Sequence, residues 1–235
     1  ALLQSPAKTP IFFHFHAKGS GDLNDFTPGH TTIIGGNGSG KSVFMGFMDS
    51  QLSRFGGKSF FFDRDRGLEL YIRASEGAYY AFNPIKNKIK LNPFKLKDTP
   101  ENRAFLSIWL VNLVSDNKDI SPKISNLFAS CVDYAYEHLS EEDRYLSRAL
   151  DLVPIDFSLQ ASLDRWINTG CFASLFDNKA EDLDFNNNRV GFDLTALLDN
   201  DLDPNVLKSV CMYLMHRIKQ TFDGSRVSLF MDEGW

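Results

Sequence analysis

A chain of 235 residues, 43% apolar and 23% charged, can bury a large core and form one large domain or two small ones. Its net charge of −5 gives no bulk attraction to nucleic acid or to an anionic membrane. No apolar run approaches the about 20 residues that a membrane-spanning helix needs, and no basic-then-apolar signal segment opens the chain.

Pro10 to His16 alternates as a strand, with Phe13 and Phe15 on one face and Phe12, His14 and His16 on the other. The two histidines lack a third ligand at metal-binding spacing, so a solvated face is expected. Thr31 to Ile34 predicts a short β-branched strand. Val43 to Phe55 predicts a helix with Phe44, Phe47, Met48, Leu52 and Phe55 as its apolar stripe, stopped by Gly56-Gly57. Strands over Ser59–Phe62 and Ala78–Phe82 flank a short helix over Leu68–Arg73. Asn83-Pro84 and Asn92-Pro93-Phe94 mark a loop, because a residue before proline is pushed out of helical geometry.

From Thr99 the pattern turns helical. Thr99-Pro100 and Ser121-Pro122 each place a cap and an N1 proline before a helix, the second with Ile124, Leu127, Phe128, Cys131, Val132 and Ala135 on one face. Ser140 to Asp143 opens a third helix with acids at its positive end. Ser158 to Asn168 is a fourth, with Leu159, Leu163, Trp166 and Ile167 inward and Gly170 closing it. The α/β pattern resumes with a strand over Arg189–Leu194, a helix from Asp203-Pro204 to about Thr221, and Arg226–Met231 as an apolar central strand. The organisation read from this is α/β residues 1–98, an inserted all-α block over 99–185, and a continuation over 186–235.

Two stretches carry chemistry. Gly35-Gly36-Asn37-Gly38-Ser39-Gly40-Lys41-Ser42 matches GxxxxGK[ST], a loop whose glycines let backbone N–H groups face phosphate oxygens ahead of a helix N-terminus. Lys41 would reach the β and γ phosphates and Ser42 would ligate Mg2+. Gly35, Gly36, Asn37, Gly38, Ser39, Gly40, Lys41, Ser42 and Val43 are therefore the ATP-binding candidates. Far along the chain, Val227 to Met231 is an apolar strand ending in Asp232-Glu233. Asp232 would hold the Mg2+ shell with Ser42, and Glu233 would activate the attacking water, so Glu233 and Lys41 are the catalytic candidates. Asp63-Arg64-Asp65-Arg66 ends another strand and reads equally as a ligand edge or as a solvated loop of local ion pairs; either arginine could act across a subunit boundary. Asp193, near a further strand end, is a weaker candidate. Cys131, Cys171 and Cys211 form no CxxC pair and point to a reducing compartment and small buried roles. The start at Ala1 and the end just after Asp232-Glu233 are read as the bounds of a piece of a longer protein.

In this order the residues resemble the type IV secretion and conjugative-transfer ATPases, the group that includes TraC, TrbE and CagE. The resemblance runs from Pro10-Ile-Phe-Phe-His-Phe-His and Gly29-His30-Thr31 through the P-loop to Phe61-Phe62-Asp63-Arg64-Asp65-Arg66-Gly67. It continues over Phe82-Asn83-Pro84 and Asn92-Pro93-Phe94 to Asp232-Glu233-Gly234-Trp235. It implies a RecA-like P-loop core, incomplete at its C-terminus, with an all-α subdomain inserted before the second motif. It also implies ATP and Mg2+ as ligands, a homo-oligomer (commonly a hexamer), and a cytoplasmic place at the bacterial inner membrane. Implied partners are other inner-membrane secretion components, with a coupling protein or a second secretion ATPase among them; direct DNA binding stays open. The N-terminal domain of such proteins, and the strands and arginine finger beyond the second motif, are expected to lie outside this chain. The alternatives are a DNA-translocating, coupling-protein-like ATPase of the same superfamily, and a nucleotide-gated scaffold. Acidic net charge leans against the first, and Glu233 against the second.

Overall fold

The computed structural model describes residues 2–5, 7–13, 29–115, 121–198 and 202–232, in two compact units, Ala1–Gly57 and Lys58–Trp235. In the first unit, β1 (Leu2–Gln4) pairs antiparallel with β2 (Pro10–Phe12), and the turn between them is tied by Ser5 N donating to the Thr9 carbonyl at 2.9 Å. His14 and His16 of the expected longer strand lie outside the described residues. Thr31 to Ile34 do not form the expected strand, and Ile34 is 92% exposed. β-branched residues favour a strand only where a neighbouring ladder takes up their backbone groups, and here none of the described strands does so.

Helix α1 (Lys41–Ser53) follows at once, and Gly56 and Gly57, at φ +75° and +106°, end its outgoing turn as expected. Its buried residues are Met45, Gly46, Met48 and Asp49, whereas Phe47 and Phe55 are exposed. Of the apolar stripe expected from sequence, Met48 is buried and Phe44 and Leu52 are half-buried, whereas Phe47 and Phe55 fall outside the packed face. Met45 and Met48, three apart, share a face, and Phe55 falls beyond the last turn.

In the second unit, β3 (Lys58–Asp63), helix α2 (Glu69–Ala74) and β4 (Ala78–Ala81) come first. Helices α3 (Pro100–Val114), α4 (Pro122–His138), α5 (Leu146–Leu150), α6 (Phe157–Leu163) and α7 (Ala173–Phe176) then precede β5 (Arg189–Asp193), α8 (Pro204–Lys219) and β6 (Val227–Met231). Two of the helix starts use the caps that the sequence announces. Thr99 accepts from Asn102 N and Asp203 accepts from Asn205 N, each followed by proline. Ser121 makes no such side-chain bond. The acids at 141–143 lie in a turn, not a helix, because the Ser140 hydroxyl and the Asp143 carboxylate bond each other at 3.0 Å and close the chain locally. The helix expected to reach Asn168 gives way to a 3-10 turn over Asp164–Trp166, with Asn168 at φ 53°.

The four strands form one parallel sheet in the order β4-β5-β3-β6. Its register aligns Tyr79, Gly191, Phe61 and Phe230 in one row. Since side chains alternate, Asp193, Asp63 and Asp232 share that row's face. The opposite face, with Phe60, Phe62, Val190 and Phe192, is continuous with one apolar core that includes Leu106, Trp109, Phe128, Trp166, Phe176 and Tyr213 from the helices. β6 lies at the sheet's edge, with Leu229 and Met231 exposed, where the sequence predicts a central strand. Its apolar run cannot distinguish a central strand from an edge one, because that depends on which strands pair.

Candidate functional site

In the first unit, the glycines of the octet do what their spacing requires. Gly38 and Gly40 take φ +73° and +91°, left-handed values that a side chain would strain, and Gly40 turns the loop into α1. A Cβ at Gly35 would meet Ser39 Oγ at 2.5 Å, so the loop closes on itself there. Ser39 N donates to the Gly36 carbonyl at 3.2 Å, and Lys41 Nζ donates back to the carbonyls of Gly35 and Gly36 at 3.0 and 3.2 Å. The N-terminus of α1 has no side-chain cap and no acid in its first turn. A 13-residue helix therefore keeps its positive end for an anion, with one ammonium group beside it. Ser42 is half-buried and Val43 exposed. Open space around the Cβ positions of Gly36, Gly38 and Gly40 leaves the loop's backbone approachable by a ligand.

In the second unit, the ends of three adjacent strands carry a row of carboxylates. Asp63 stands in register with Asp193, and Asp232 N donates to the Phe62 carbonyl at 2.8 Å, which extends the β3–β6 ladder one residue into the turn after β6. All three side chains are buried. Asp193 is held by Thr195, whose N and Oγ1 donate to its Oδ1 at 3.0 and 2.5 Å, and by Arg66 Nε at 3.6 Å. Asp63 Oδ2 accepts from Tyr79 Oη at 2.5 Å and from Leu68 N at 3.0 Å. Burial pushes the Asp63 carboxyl above its ordinary pKa, against the pull of those two hydrogen bonds, and Asp232 and Asp193 push the same way as burial. The Tyr79 phenol is driven far up, first by burial and then by Asp63.

Arg66 also pairs with Glu69, at 2.9 Å, so its charge is engaged within its own chain. Asp65 and Arg66 both sit at φ 58°, and Asp65 N donates to Thr195 Oγ1 at 2.7 Å, so the loop is braced on the segment after β5. Glu233 lies outside the described residues. Among the described residues, no group of three His, Cys, Asp or Glu side chains could hold a metal ion. Tyr79, Thr195 and Gly191 escape the sequence reading, although a glycine inside a strand pattern is itself a signal that something approaches closely.

Comparison with known proteins gives a consistent picture. No family model matches. The type IV secretion system protein VirB4 of Bartonella henselae is 33% identical over 242 residues, covering 100% of this chain and 29% of the relative. The type IV secretion system protein PtlC of Bordetella pertussis is 31% identical over 254 residues, covering 100% of this chain and 30% of the relative. The chain thus spans less than a third of the length of these relatives. Among solved structures, VirB4 of Thermoanaerobacter pseudethanolicus superposes with a TM-score of 0.73 at 15% identity, over 100% of this chain and 67% of that one. That likeness establishes an α/β fold consistent with a RecA-like P-loop core. The names of these relatives do not favour the DNA-translocating alternative. With sequence likeness along its whole length and the same fold, the chain is a homologue of part of the VirB4 and PtlC type IV secretion system proteins.

Proposed function

We propose that this chain is the ATP-binding part of an ATPase motor subunit that energises type IV secretion, in pilus assembly, substrate export or conjugation. The observation that carries this reading is the Gly35–Ser42 loop, with its left-handed glycines, its uncapped helix N-terminus and a lysine folded over it. In this reading Gly35, Gly36, Asn37, Gly38, Ser39, Gly40, Lys41, Ser42 and Val43 cradle the triphosphate, and Lys41 neutralises its charge. Ser42 and Asp232 offer a hydroxyl and a carboxylate, the hard oxygen donors that suit Mg2+. When bound, Mg2+ supplies further neutralisation of phosphate charge. Glu233 takes the proton of the attacking water.

The same proposal treats residues 99–185 as an insertion in a motor core made of 1–98 and 186–235; its support is that β4 and β5, which flank the insertion in sequence, pair side by side. The working form is a homo-oligomer, commonly a hexamer, on the cytoplasmic side of the inner membrane. Its partners there are other secretion components, including a coupling protein or a second secretion ATPase. No described helix is long and apolar enough to cross a membrane, which suits a peripheral place.

Turnover in the full-length protein tests the reading. Lys41→Ala loses nucleotide affinity together with turnover. Glu233→Gln keeps affinity and loses turnover by about 10² to 10⁴, the range of a general base. Unchanged turnover in both variants overturns the proposal.

A further inference from the structure

The carboxylate row contains a group that the proposed chemistry does not use. Tyr79 on β4 stands in register with Gly191 on β5, and Gly191 with Phe61 on β3. A Cβ at Gly191 would lie 2.6 Å from Tyr79 Cδ2 and 2.6 Å from Ile72 Cδ1. The ring of Tyr79 thus occupies the space that the missing side chain leaves, and its hydroxyl crosses β5 to reach Asp63 Oδ2 at 2.5 Å. That same oxygen accepts from Leu68 N at 3.0 Å and so closes the turn after β3. The other oxygen, Asp63 Oδ1, is buried with no hydrogen-bond partner among the described residues. A structural tie alone does not explain that second oxygen. A buried carboxylate is a costly way to hold one hydroxyl and one amide, and an unmatched acceptor adds about 1–3 kcal/mol to the cost. The neighbour that gives it a use is Asp232, whose backbone is carried beside Asp63 by the bond from Asp232 N to the Phe62 carbonyl at 2.8 Å.

We infer that Asp63, clamped by Tyr79 across Gly191, is a positioning residue for Asp232 and strengthens the metal-dependent part of nucleotide binding; this rests on the reading of Asp232 as a metal ligand. Two physical effects act together. The clamp fixes the end of β3, the template on which the backbone of Asp232 is paired. A carboxylate in a poorly solvated place also adds its field to the attraction of Asp232 for a cation. Asp193, the third member of the row, has Arg66 beside it and contributes less of that field.

The test measures the affinity of the full-length protein for a non-hydrolysable ATP analogue, once in Mg2+ and once in EDTA, for wild type, Asp232→Asn, Asp63→Asn and Tyr79→Phe. Tyr79→Phe keeps the ring over Gly191 and removes only the hydroxyl, so it remains informative if Asp63→Asn folds poorly. The expected result is an Mg2+-to-EDTA affinity ratio lowered about 10- to 100-fold in Tyr79→Phe and Asp63→Asn, as for other residues that orient a metal ligand, with the EDTA affinity unchanged. If Asp232→Asn abolishes the ratio while Tyr79→Phe and Asp63→Asn keep the wild-type value, the inference fails and the reading of Asp232 survives. If both affinities fall in parallel in Tyr79→Phe and Asp63→Asn, the clamp is only structural and the inference fails likewise. If Asp232→Asn leaves the ratio intact, the reading of Asp232 itself fails and takes the inference with it.

Discussion

His216 shows how one buried side chain sets a pH limit on the fold. Its ring stacks on Phe105, with centroids 3.8 Å apart, and its Nε2 meets Asn102 Oδ1 at 2.7 Å. The same Asn102 oxygen accepts from Gln220 Nε2 at 2.6 Å, so it acts as an acceptor and the imidazole Nε2 carries the proton towards it. Burial lowers the pKa of His216 below its ordinary value; Glu101 opposes this, while Lys219 and Arg217 add to it. With the folded pKa below the unfolded one, the unfolded chain takes up the proton first as pH falls. The stability is therefore complete above the unfolded pKa, near 6.5, and is lost progressively as pH falls towards the folded value. Wild type should lose thermal stability between pH 7.5 and the folded pKa relative to His216→Gln, and parallel Tm-against-pH curves for the two would refute this. Asp63 and Glu181, whose pKa values are raised, drive stability the opposite way at lower pH and are common to both proteins, so the difference isolates His216. Glycine is as informative as histidine at this scale. Gly191 is visible in the sequence, but that it makes room for Tyr79 follows only from the pairing of β4 with β5.

Among the elements, helices were more legible than strands, because a helix satisfies its backbone within itself and a strand depends on distant partners. Thr99-Pro100 and Asp203-Pro204 open α3 and α8 where their side chains predict. Thr31 to Ile34 has strand composition and no ladder, and β6 has a central-strand sequence at the sheet's edge. The acids at 141–143 misled for a local reason, since a serine four residues or fewer from an aspartate closes a turn as readily as it caps a helix. The turn geometry of the Gly35–Ser42 loop was legible because its glycines lie within one short stretch, whereas the clamp on Asp63 joins residues 63, 79 and 191. The α3–α8 seam shows the same dependence on distant partners. Ser209 interrupts the apolar stripe of α8 and is fully buried; its Oγ accepts from Asn112 Nδ2 at 2.9 Å, and its carbonyl accepts from Trp109 Nε1 at 3.2 Å. Asn112 Oδ1 already lacks a partner among the described residues. Ser209→Ala removes the acceptor of Nδ2 and leaves the Trp109 bond in place. It should cost about 1–3 kcal/mol, the range for an orphaned buried polar group, read as a lower urea midpoint at unchanged slope. An unchanged midpoint would mean that water reaches the seam.

For the whole molecule, the sheet has one side that the described residues leave open. β4 closes the row at one end beside β5, and among the described residues β6 pairs only with β3 at the other. Along β6 the alternation is clear: Phe230 is buried and stacks on Phe61 with centroids 4.8 Å apart, while Leu229 and Met231, 40% and 46% exposed, share the other face. An edge strand with exposed apolar residues is a template for pairing with another chain. A net charge of −5 spread over 235 residues opposes such pairing only weakly at physiological salt, where charges beyond about 8 Å are screened. The 235-residue chain should therefore self-associate with rising concentration, as followed by light scattering. Leu229→Lys should suppress that association while changing unfolding free energy by no more than about 0.5 kcal/mol, the effect of an ordinary surface substitution. Phe230→Lys is the contrasting case, because it buries a charge against Phe61 and should lower stability outright. If Leu229→Lys leaves the scattering unchanged, association runs through a different surface and the β6 edge is not its template.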